Sequence, residues 1–334
     1  MILAHCCAIH FEDKVSATLK LQKYIDKLDA TAVPLLNRTI SVYFMAERVP
    51  ADSQDVMYNN LQLFVSAMVS HSDSSHFKSF YLFSVEQGIT NTMIKYLPKV
   101  AAENIAFISS THSHDVFSHV DTILKILDSK RLDKMSTILF TSNSARGPFF
   151  DRNNGNWWKH FVDPLYGPNS IGMIGSMISC DGPPHVLWFS VAMRSNIAVS
   201  IGKAMKSTKM RIAGGGSVEM EKVATETVIL TLGLRISSLY HQKRYNQTVF
   251  PTENKQSTCP TSLSNYHYTA HSPISWCDNN PNQLLFMKWG GLLFKQRGFA
   301  CSETINRIHA ATLRIASTEP QLHLVLPETI YGHP

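Results

Sequence analysis

The stretch Thr137-Ile-Leu-Phe-Thr-Ser-Asn-Ser-Ala-Arg-Gly-Pro-Phe-Phe150 is the most informative segment of this chain. A short apolar run gives way abruptly to small polar residues and then to Arg146-Gly147-Pro148. The pattern predicts a buried β-strand that ends in a polar turn. In an α/β protein such a turn delivers its side chains to the crevice where ligands bind, so we expect a functional site here.

From its start to the end of this strand, the chain alternates between β-branched or aromatic runs and amphipathic stretches. They predict strands over 40–45, 80–84, 104–108 and 137–141, and helices over 15–28, 56–69 and 120–127. Alternation at this spacing predicts an α/β fold of the Rossmann type, with a mainly parallel central sheet flanked by helices.

The second half of the chain is less regular. It predicts a helix over 157–166, a glycine-interrupted strand over 170–179, a buried strand over 186–193 and a helix over 218–233 that Gly233 closes. Residues 247–282 are rich in Ser, Thr, Asn, Pro and His, and we expect them to form a long loop.

The composition is that of an ordinary globular protein with a basic excess. The chain has 334 residues, 44% of them hydrophobic and 17% charged, and a net charge of +6. A positive net charge suits anionic small-molecule ligands. The basic residues are too scattered to predict a nucleic-acid partner, and even their densest group, over 203–211, is typical of a solvent-exposed face.

The sequence shows no feature of a membrane or secreted protein. No stretch approaches the roughly 20 apolar residues that span a bilayer, and the first residues lack the pattern of a signal peptide. The 6 cysteines contain no C-x-x-C pair. We therefore predict no integral membrane segment and interpret the cysteines as reduced thiols of a cytoplasmic protein, with a luminal enzyme trimmed of its anchor as the alternative.

One alternative function is suggested by the segment from Thr111 to His119. Its histidines, His112, His114 and His119, are spaced almost as in zinc hydrolases of the metallo-β-lactamase kind, whose H-x-H-x-D-H motif binds metal from one loop. Asp115 comes one residue too early for this motif, and His119 comes two residues too late. We interpret the segment as a polar loop in which Asp115 binds the nucleotide or ribose of a ligand, with a zinc-dependent hydrolase as the alternative.

Ser142, Asn143 and Ser144 occupy the turn where metal-dependent nucleotide-sugar transferases carry Asp-x-Asp. Those carboxylates hold Mn²⁺ or Mg²⁺ against the diphosphate, because hard cations need oxygen ligands. Neutral side chains coordinate such a cation weakly, so either the cation is held elsewhere or Arg146 neutralises the phosphate. The sequence assigns no cofactor and leaves Mn²⁺ or Mg²⁺ open; in the alternative reading, Arg146 is only a solvated turn residue.

Three side chains are candidates for the base that a transferase needs at its acceptor hydroxyl. Glu221 lies near the start of a predicted helix, although a glutamate there also simply favours the helix dipole. Asp181 and His185 flank a Gly-Pro-Pro turn and are further candidates. Trp157 and Trp188 are candidates for stacking on sugar rings, against the alternative that large aromatic residues form the core.

Several of these motifs together resemble a loosely defined group of glycosyltransferases of algae, fungi and bacteria that is related to rhamnan-synthesis rhamnosyltransferases. The matching islands lie between residues 40 and 305: Asp115, the run from Ser142 to Phe149, Pro184-His185-Val186, Glu221 with Gly233, and Asn280-Pro281. Two departures are Ser142, where the group has Asn, and Leu187-Trp188, where it often has Gln-Ser. They allow a non-catalytic sugar- or nucleotide-binding module.

The resemblance implies a GT-A-like fold that transfers a sugar, such as the deoxyhexose rhamnose, from a nucleoside-diphosphate sugar donor to a glycan acceptor. On this basis residues 1–334 form a single domain, with a nucleotide-binding half over 1–150 and an acceptor-binding half over 151–334. We expect the donor to bind at Asp115, Ser142, Asn143, Ser144 and Arg146, the acceptor at Trp157 and Trp188, and the catalytic base among Glu221, Asp181 and His185.

Overall fold

A mixed β-sheet forms the centre of the computed structural model, which describes residues 12–44, 60–61, 63–65, 77–86, 103–110, 116–148, 157–179, 184–207, 216–239 and 285–288. The strands in the described residues, inside and outside this sheet, are β1 (Arg38–Phe44), β2 (Lys78–Glu86), β3 (Ile105–Ser110), β4 (Thr137–Ser142), β5 (Ala145–Arg146), β6 (Ile171–Gly175), β7 (Ile178–Ser179), β8 (His185–Val186), β9 (Ser190–Arg194), β10 (Arg235–Ser238) and β11 (Met287–Lys288).

The main sheet within these residues has seven strands in the order β10-β6-β9-β4-β1-β2-β3. β9 runs antiparallel to both of its neighbours, and the other pairings are parallel. The pairs β5–β11 and β7–β8 form small antiparallel ladders outside it. The predicted Rossmann-type α/β architecture with a mainly parallel sheet is therefore confirmed.

Helices cover this sheet. They are α1 (Lys14–Ala30), α2 (Val116–Ile126), α3 (Ser129–Leu132), α4 (Lys159–Tyr166), α5 (Ser195–Ser207) and α6 (Gly216–Glu226), which continues into a π-helical turn, Thr227–Thr231. Contacts join α1 to α2, and join α2, α5 and α6 to one another, whereas α4 packs on β6 and β9. None of the helices in the described part of the chain is long and apolar enough to cross a bilayer.

Burial in the core explains why the sequences of the central strands are apolar runs. Every residue of β1 and β4 is buried, as expected of central strands that are covered on both faces. Asp13 caps the N-terminus of α1, and its carboxylate accepts a hydrogen bond from the Ser16 N–H at 2.7 Å. The helix buries one stripe, and its Tyr24 ring lies 5.8 Å from that of Phe80 on β2.

The strand order places a switch point between β1 and β4. From β1 the chain adds β2 and β3 on one side and then returns to add β4 on the other. The two strands end together, because Phe44 and Ser142 are partners in the register. The crevice at such a reversal is where open α/β sheets bind ligands.

Two predicted elements of the second half differ from the structure. The strand predicted over 186–193 is two elements, β8 and β9, separated by a turn at Trp188 and Phe189. The ladder breaks there because the Trp188 N–H donates to the carboxylate of Glu221 instead of to a strand. The strand predicted over 170–179 likewise divides into β6 and β7, whereas Gly233 closes its helix in a left-handed conformation, φ 63°, as predicted.

Some predictions lie outside the described residues: the loop over 247–282, Asn280-Pro281, the cysteines and most of the helix over 56–69. Of that helix, residues 60–61 and 63–65 are described and are helical.

Buried tyrosines make a first prediction about alkaline pH. Burial raises the pKa of Tyr81 from 10.0 to about 12, and raises the pKa of Tyr24 and Tyr43 as well. A raised phenol pKa stabilises the fold below pH 10, and this contribution is lost as the pH rises toward 12. At about pH 11 the native protein should show fewer phenolates, by ultraviolet absorbance, than the urea-unfolded protein. Equal absorbance in the two states would contradict this burial.

Candidate functional site

The polar turn after β4 lies at the switch point, where the sequence predicted a site. Ser142, Asn143 and Ser144 are all buried. The Ser142 N–H donates to the Phe189 carbonyl, and the Asn143 N–H donates to the Phe44 carbonyl, both at 3.0 Å. These bonds tie the turn to β1 on one side and to the start of β9 on the other.

The side chains of this turn do not fit a divalent cation. The hydroxyls of Ser142 and Ser144 lie 2.8 Å apart and hydrogen-bond to each other, so the turn offers neutral oxygens that already have a partner. Mn²⁺ and Mg²⁺ are bound through carboxylates, which these three residues lack. In the described part of the chain, no group of three or more His, Cys, Asp or Glu is placed to hold a metal ion.

Arg146 is a buried cation fixed to this turn by Asn60. The residue is only 3% exposed, which excludes the alternative of a solvated turn residue. Its Nε donates to Asn60 Oδ1 at 2.8 Å, and Asn60 Nδ2 donates to the Asn143 carbonyl at 3.1 Å. Burial lowers the pKa of Arg146 to about 9, against the opposing effect of Tyr43, so the guanidinium is charged at neutral pH.

Asn60 is a site residue that the sequence analysis missed. It lies in the helix predicted over 56–69 and is fully buried. The available signal was an asparagine next to the apolar residues of that helix. Its partners lie 83 and 86 positions away along the chain, which no local pattern shows.

Gly147 allows a second chain segment to pass close to Arg146. β5 pairs with β11, so that Arg146 lies opposite Met287. Gly147 has a φ of 145°, and a Cβ there would lie 2.2 Å from the Leu285 carbonyl oxygen. The residue after Arg146 must therefore be glycine.

A second cluster joins α6 to the β8 region. Glu221 and Thr225 lie one helical turn apart and hold neighbouring backbone groups: Glu221 Oε1 accepts from the Trp188 N–H at 2.9 Å, and Thr225 Oγ1 accepts from the Val186 N–H at 3.1 Å. Glu221 Oε2 lies 3.8 Å from His185 Nε2, with side chains 10% and 3% exposed. This distance exceeds that of a hydrogen bond and suits an ion pair when the imidazole is protonated.

The two clusters are connected through Trp188 and Phe189. The N–H of Trp188 binds Glu221, whereas the carbonyl of Phe189 binds the Ser142 N–H. The Trp188 ring also lies 5.3 Å from that of Phe140 on β4. Two backbone hydrogen bonds thus link the helix that carries Glu221 to the switch point.

Three residues that carry hydroxyl groups form a row across the sheet, one position before the ends of β1 and β4. Tyr43, Thr141 and Ser190 are direct neighbours across β1, β4 and β9. Their oxygens are buried, and none has a hydrogen-bond partner among the described residues. Because apolar side chains of the same shape would avoid the cost of an unpaired hydroxyl, this row costs stability.

Removing hydroxyls of this row should stabilise the protein. We expect Thr141→Val and Ser190→Ala each to raise the free energy of unfolding by about 1 kcal/mol, because each removes an unpaired buried oxygen. Thr137→Val on the same strand is the matched control, since the Thr137 hydroxyl pairs with Ser136 Oγ at 3.3 Å and its loss should destabilise. Urea unfolding measures all three; a loss of stability in Thr141→Val comparable to that in the control would contradict the prediction.

The two predicted acceptor tryptophans are core residues in this structure. Each is 2% exposed. Trp157 stacks on Trp158 with ring centroids 4.7 Å apart and meets Phe286 edge-on, whereas Trp188 packs on Phe140. Neither ring offers an exposed face to a sugar.

The remaining predicted site residues are not described. Asp115, Asp181, His112 and His114 lie outside the described residues, and His119 lies on α2 without a described side chain. Their roles, and the zinc-hydrolase alternative, stay predictions.

Known proteins resemble this chain only distantly. No protein-family model matches the chain, and no curated protein matches it. Among solved structures, a 4-diphosphocytidyl-2C-methyl-D-erythritol synthase from Anaerococcus prevotii is 10% identical with a TM-score of 0.37, covering 61% of this chain and 87% of that one. A cytidylyltransferase from Leptospira borgpetersenii is 11% identical with a TM-score of 0.35, covering 84% and 96%.

Proposed function

We propose that this protein is a glycosyltransferase that binds a nucleoside-diphosphate sugar at the carboxyl edge of its sheet, between β1 and β4, and transfers the sugar to a glycan acceptor. The observation that carries the proposal is the buried guanidinium of Arg146, which Asn60 fixes to the turn at the switch point. A resemblance to rhamnan-synthesis enzymes favours a deoxyhexose such as rhamnose as the sugar.

Arg146 supplies what the leaving group of such a reaction needs. When the bond to the sugar breaks, negative charge grows on the diphosphate, and a fixed cation in a water-poor site stabilises that charge strongly. The hydrogen bond from Nε to Asn60 fixes the plane of the guanidinium before the donor arrives. This preorganisation favours charge stabilisation by Arg146 over a divalent cation at the Ser142–Ser144 turn.

The acceptor side of the reaction is proposed to lie toward α6. An acceptor hydroxyl attacks the anomeric carbon more readily when a base takes its proton. Glu221 and His185 lie together near the start of β9, and their cluster is linked to the donor turn through Trp188 and Phe189. Asp181 stays a candidate on sequence grounds.

A donor-turnover assay tests the proposal. The purified protein is incubated with UDP-, GDP-, CDP- and dTDP-sugars, with and without oligosaccharide acceptors, and released nucleoside diphosphate is measured. We expect release from one nucleotide family, faster with an acceptor. Binding of a nucleotide without release would favour the non-catalytic binding module, and neither binding nor release would contradict the proposal.

A further inference from the structure

We infer that a row of buried hydroxyls at the carboxyl edge of the sheet binds the hydroxyl groups of the donor's sugar. This hydroxyl row consists of Tyr43, Thr141, Ser190 and, directly beside Ser190, Ser176. The role rests on the proposed function, which places the diphosphate at Arg146 and assigns no residue to the sugar.

The hydroxyl row lies at the rim of one face of the sheet. Tyr43, Thr141 and Ser190 are partners across β1, β4 and β9, and partners in a sheet point to the same face. Tyr43 and Thr141 come one position before their strands end, whereas Ser190 is the first residue of β9. Ser176 directly follows β6, and its N–H donates to the Ser190 carbonyl at 3.1 Å. The row therefore extends from β1 to the end of β6, along the edge that holds the switch point.

Toward the opposite, amino edge, the same face of the sheet pairs its hydroxyls. Thr39 and Ser79 are partners across β1 and β2, and their oxygens lie 2.6 Å apart. Thr141 and Ser190 are partners across β4 and β9, yet neither hydroxyl has a hydrogen-bond partner in the described part of the chain. Bonds between cross-strand hydroxyls stabilise a sheet. The carboxyl edge thus keeps donors and acceptors that a ligand can use.

The chemistry of the row suits a sugar better than a phosphate. Each hydroxyl donates one hydrogen bond and accepts others, as the alcohol groups of a sugar do. Neutral hydroxyls supply no charge to an anion, and Arg146 supplies that charge instead. Because a buried hydroxyl without a partner raises the free energy of the native state, a bond to a sugar recovers this cost and favours binding.

The Tyr43 end of the row lies next to the proposed position of the diphosphate. The Tyr43 ring lies 5.0 Å from that of Phe64, and Phe64 belongs to the same helix as Asn60, which holds Arg146. Burial raises the pKa of Tyr43, and the charge of Arg146 opposes this effect. The phenol therefore keeps its proton at neutral pH and can donate it to a sugar oxygen in a hydrogen bond.

Part of the layer that covers the row must move before a sugar reaches it. The four residues of the row are no more than 1% exposed. Arg146 is itself 3% exposed, so binding of the diphosphate requires a similar movement. Because only the open form binds, the apparent affinity for each of these ligands falls with the fraction of molecules that are open.

The affinity for a nucleotide with and without its sugar tests this role. Calorimetry compares UDP with UDP-glucose, GDP with GDP-mannose, CDP with CDP-glucose and dTDP with dTDP-rhamnose. For the pair that the wild-type protein binds, we expect Thr141→Val and Ser190→Ala each to weaken the nucleotide sugar about 5- to 10-fold more than the nucleoside diphosphate. A shift in the opening equilibrium changes both affinities alike, so this ratio isolates the bonds of the sugar. An unchanged ratio in both variants would overturn the inference.

Thr137→Val is the matched control. Thr137 lies on the same strand and the same face as Thr141, but its hydroxyl pairs with Ser136 Oγ at 3.3 Å. We expect this variant to keep the ratio of the two affinities within about twofold of the wild-type value, since it removes no bond to the sugar. A change in the ratio as large as in Thr141→Val would show a general effect of β4 and contradict the inference.

Failure of the proposed function can be told apart from failure of this role. If a nucleotide binds and the ratio does not change, the nucleotide site stands and the hydroxyl row is not the sugar subsite. If the wild-type protein binds none of these nucleotides, the proposed function fails, and L-rhamnose, D-glucose and D-mannose are titrated while NMR follows the threonine methyl signals. A shift of the Thr141 signal without a shift of the Thr137 signal would still support a sugar site at the row. No shift with any of the three sugars would overturn it.

Discussion

Gly147→Ala should lower the free energy of unfolding by about 3 kcal/mol or more. Two causes act together. The residue has a φ of 145°, which side-chain-bearing residues rarely adopt, and a Cβ would lie 2.2 Å from the Leu285 carbonyl oxygen and 2.8 Å from Phe286 Cδ1. The carbonyl is backbone and cannot retreat without displacing β11 from β5. Urea unfolding at equilibrium measures the loss.

Gly233→Ala is the control for this prediction. Gly233 also has a positive φ, 63°, but a Cβ there would meet nothing within 4 Å. We expect it to cost about 1 kcal/mol, the price of the backbone conformation alone. If the two variants lost equal stability, the close approach of residues 285–286 to the Arg146 region would be wrong.

Arg146→Lys should weaken binding of the nucleoside diphosphate by about 30-fold or more. Lysine keeps the charge but loses the planar, bidentate donor set and the bond to Asn60, and each of these orients the cation toward phosphate. Isothermal titration calorimetry with the nucleoside diphosphate that the wild-type protein prefers measures the change in Kd.

Arg194→Lys is a closely matched control. Arg194 is opposite Thr137 at the other end of the β4–β9 pair, its Nε donates to the Leu165 carbonyl at 2.8 Å, and its guanidinium lies 5.3 Å from the Tyr166 ring. The same substitution there removes a similar hydrogen bond far from the switch point and should leave the Kd unchanged. Equal affinity in both variants and the wild-type protein would contradict the placement of the diphosphate at Arg146.

The fold was predictable where burial alone decides the pattern. Strands covered on both faces read as continuous apolar runs, so β1 and β4 were predicted within two residues of their observed ends. The prediction of a single strand over 186–193 was wrong, because a hydrophobic pattern does not show which acceptor a backbone N–H binds. The Trp188 N–H donates a hydrogen bond to the carboxylate of Glu221, 33 positions away along the chain, and the strand is interrupted at this point.

The position of the polar turn after β4 was predictable from the sequence, whereas the side chains that surround it were predictable only in part. The polar turn after β4 was placed correctly because the rule for parallel sheets needs only the end of a strand. The burial of Arg146 and its bond to Asn60 depend on the packing of a distant helix, so no local pattern contains them. His185 and Glu221 were chosen for their chemistry one by one, and only the structure brings them within 3.8 Å.

The measurement that tests the central claim most directly is a thermal-shift titration of the wild-type protein with nucleoside diphosphates and their sugars, in EDTA and in Mn²⁺. A ligand that binds the native state raises Tm by an amount that grows with its concentration over Kd. We predict stabilisation by one nucleotide family that persists in EDTA, because the turn at Ser142–Ser144 does not fit a divalent cation. No shift with any nucleotide, together with a fall in Tm in EDTA alone, would contradict the account and favour a metal site at the histidine cluster.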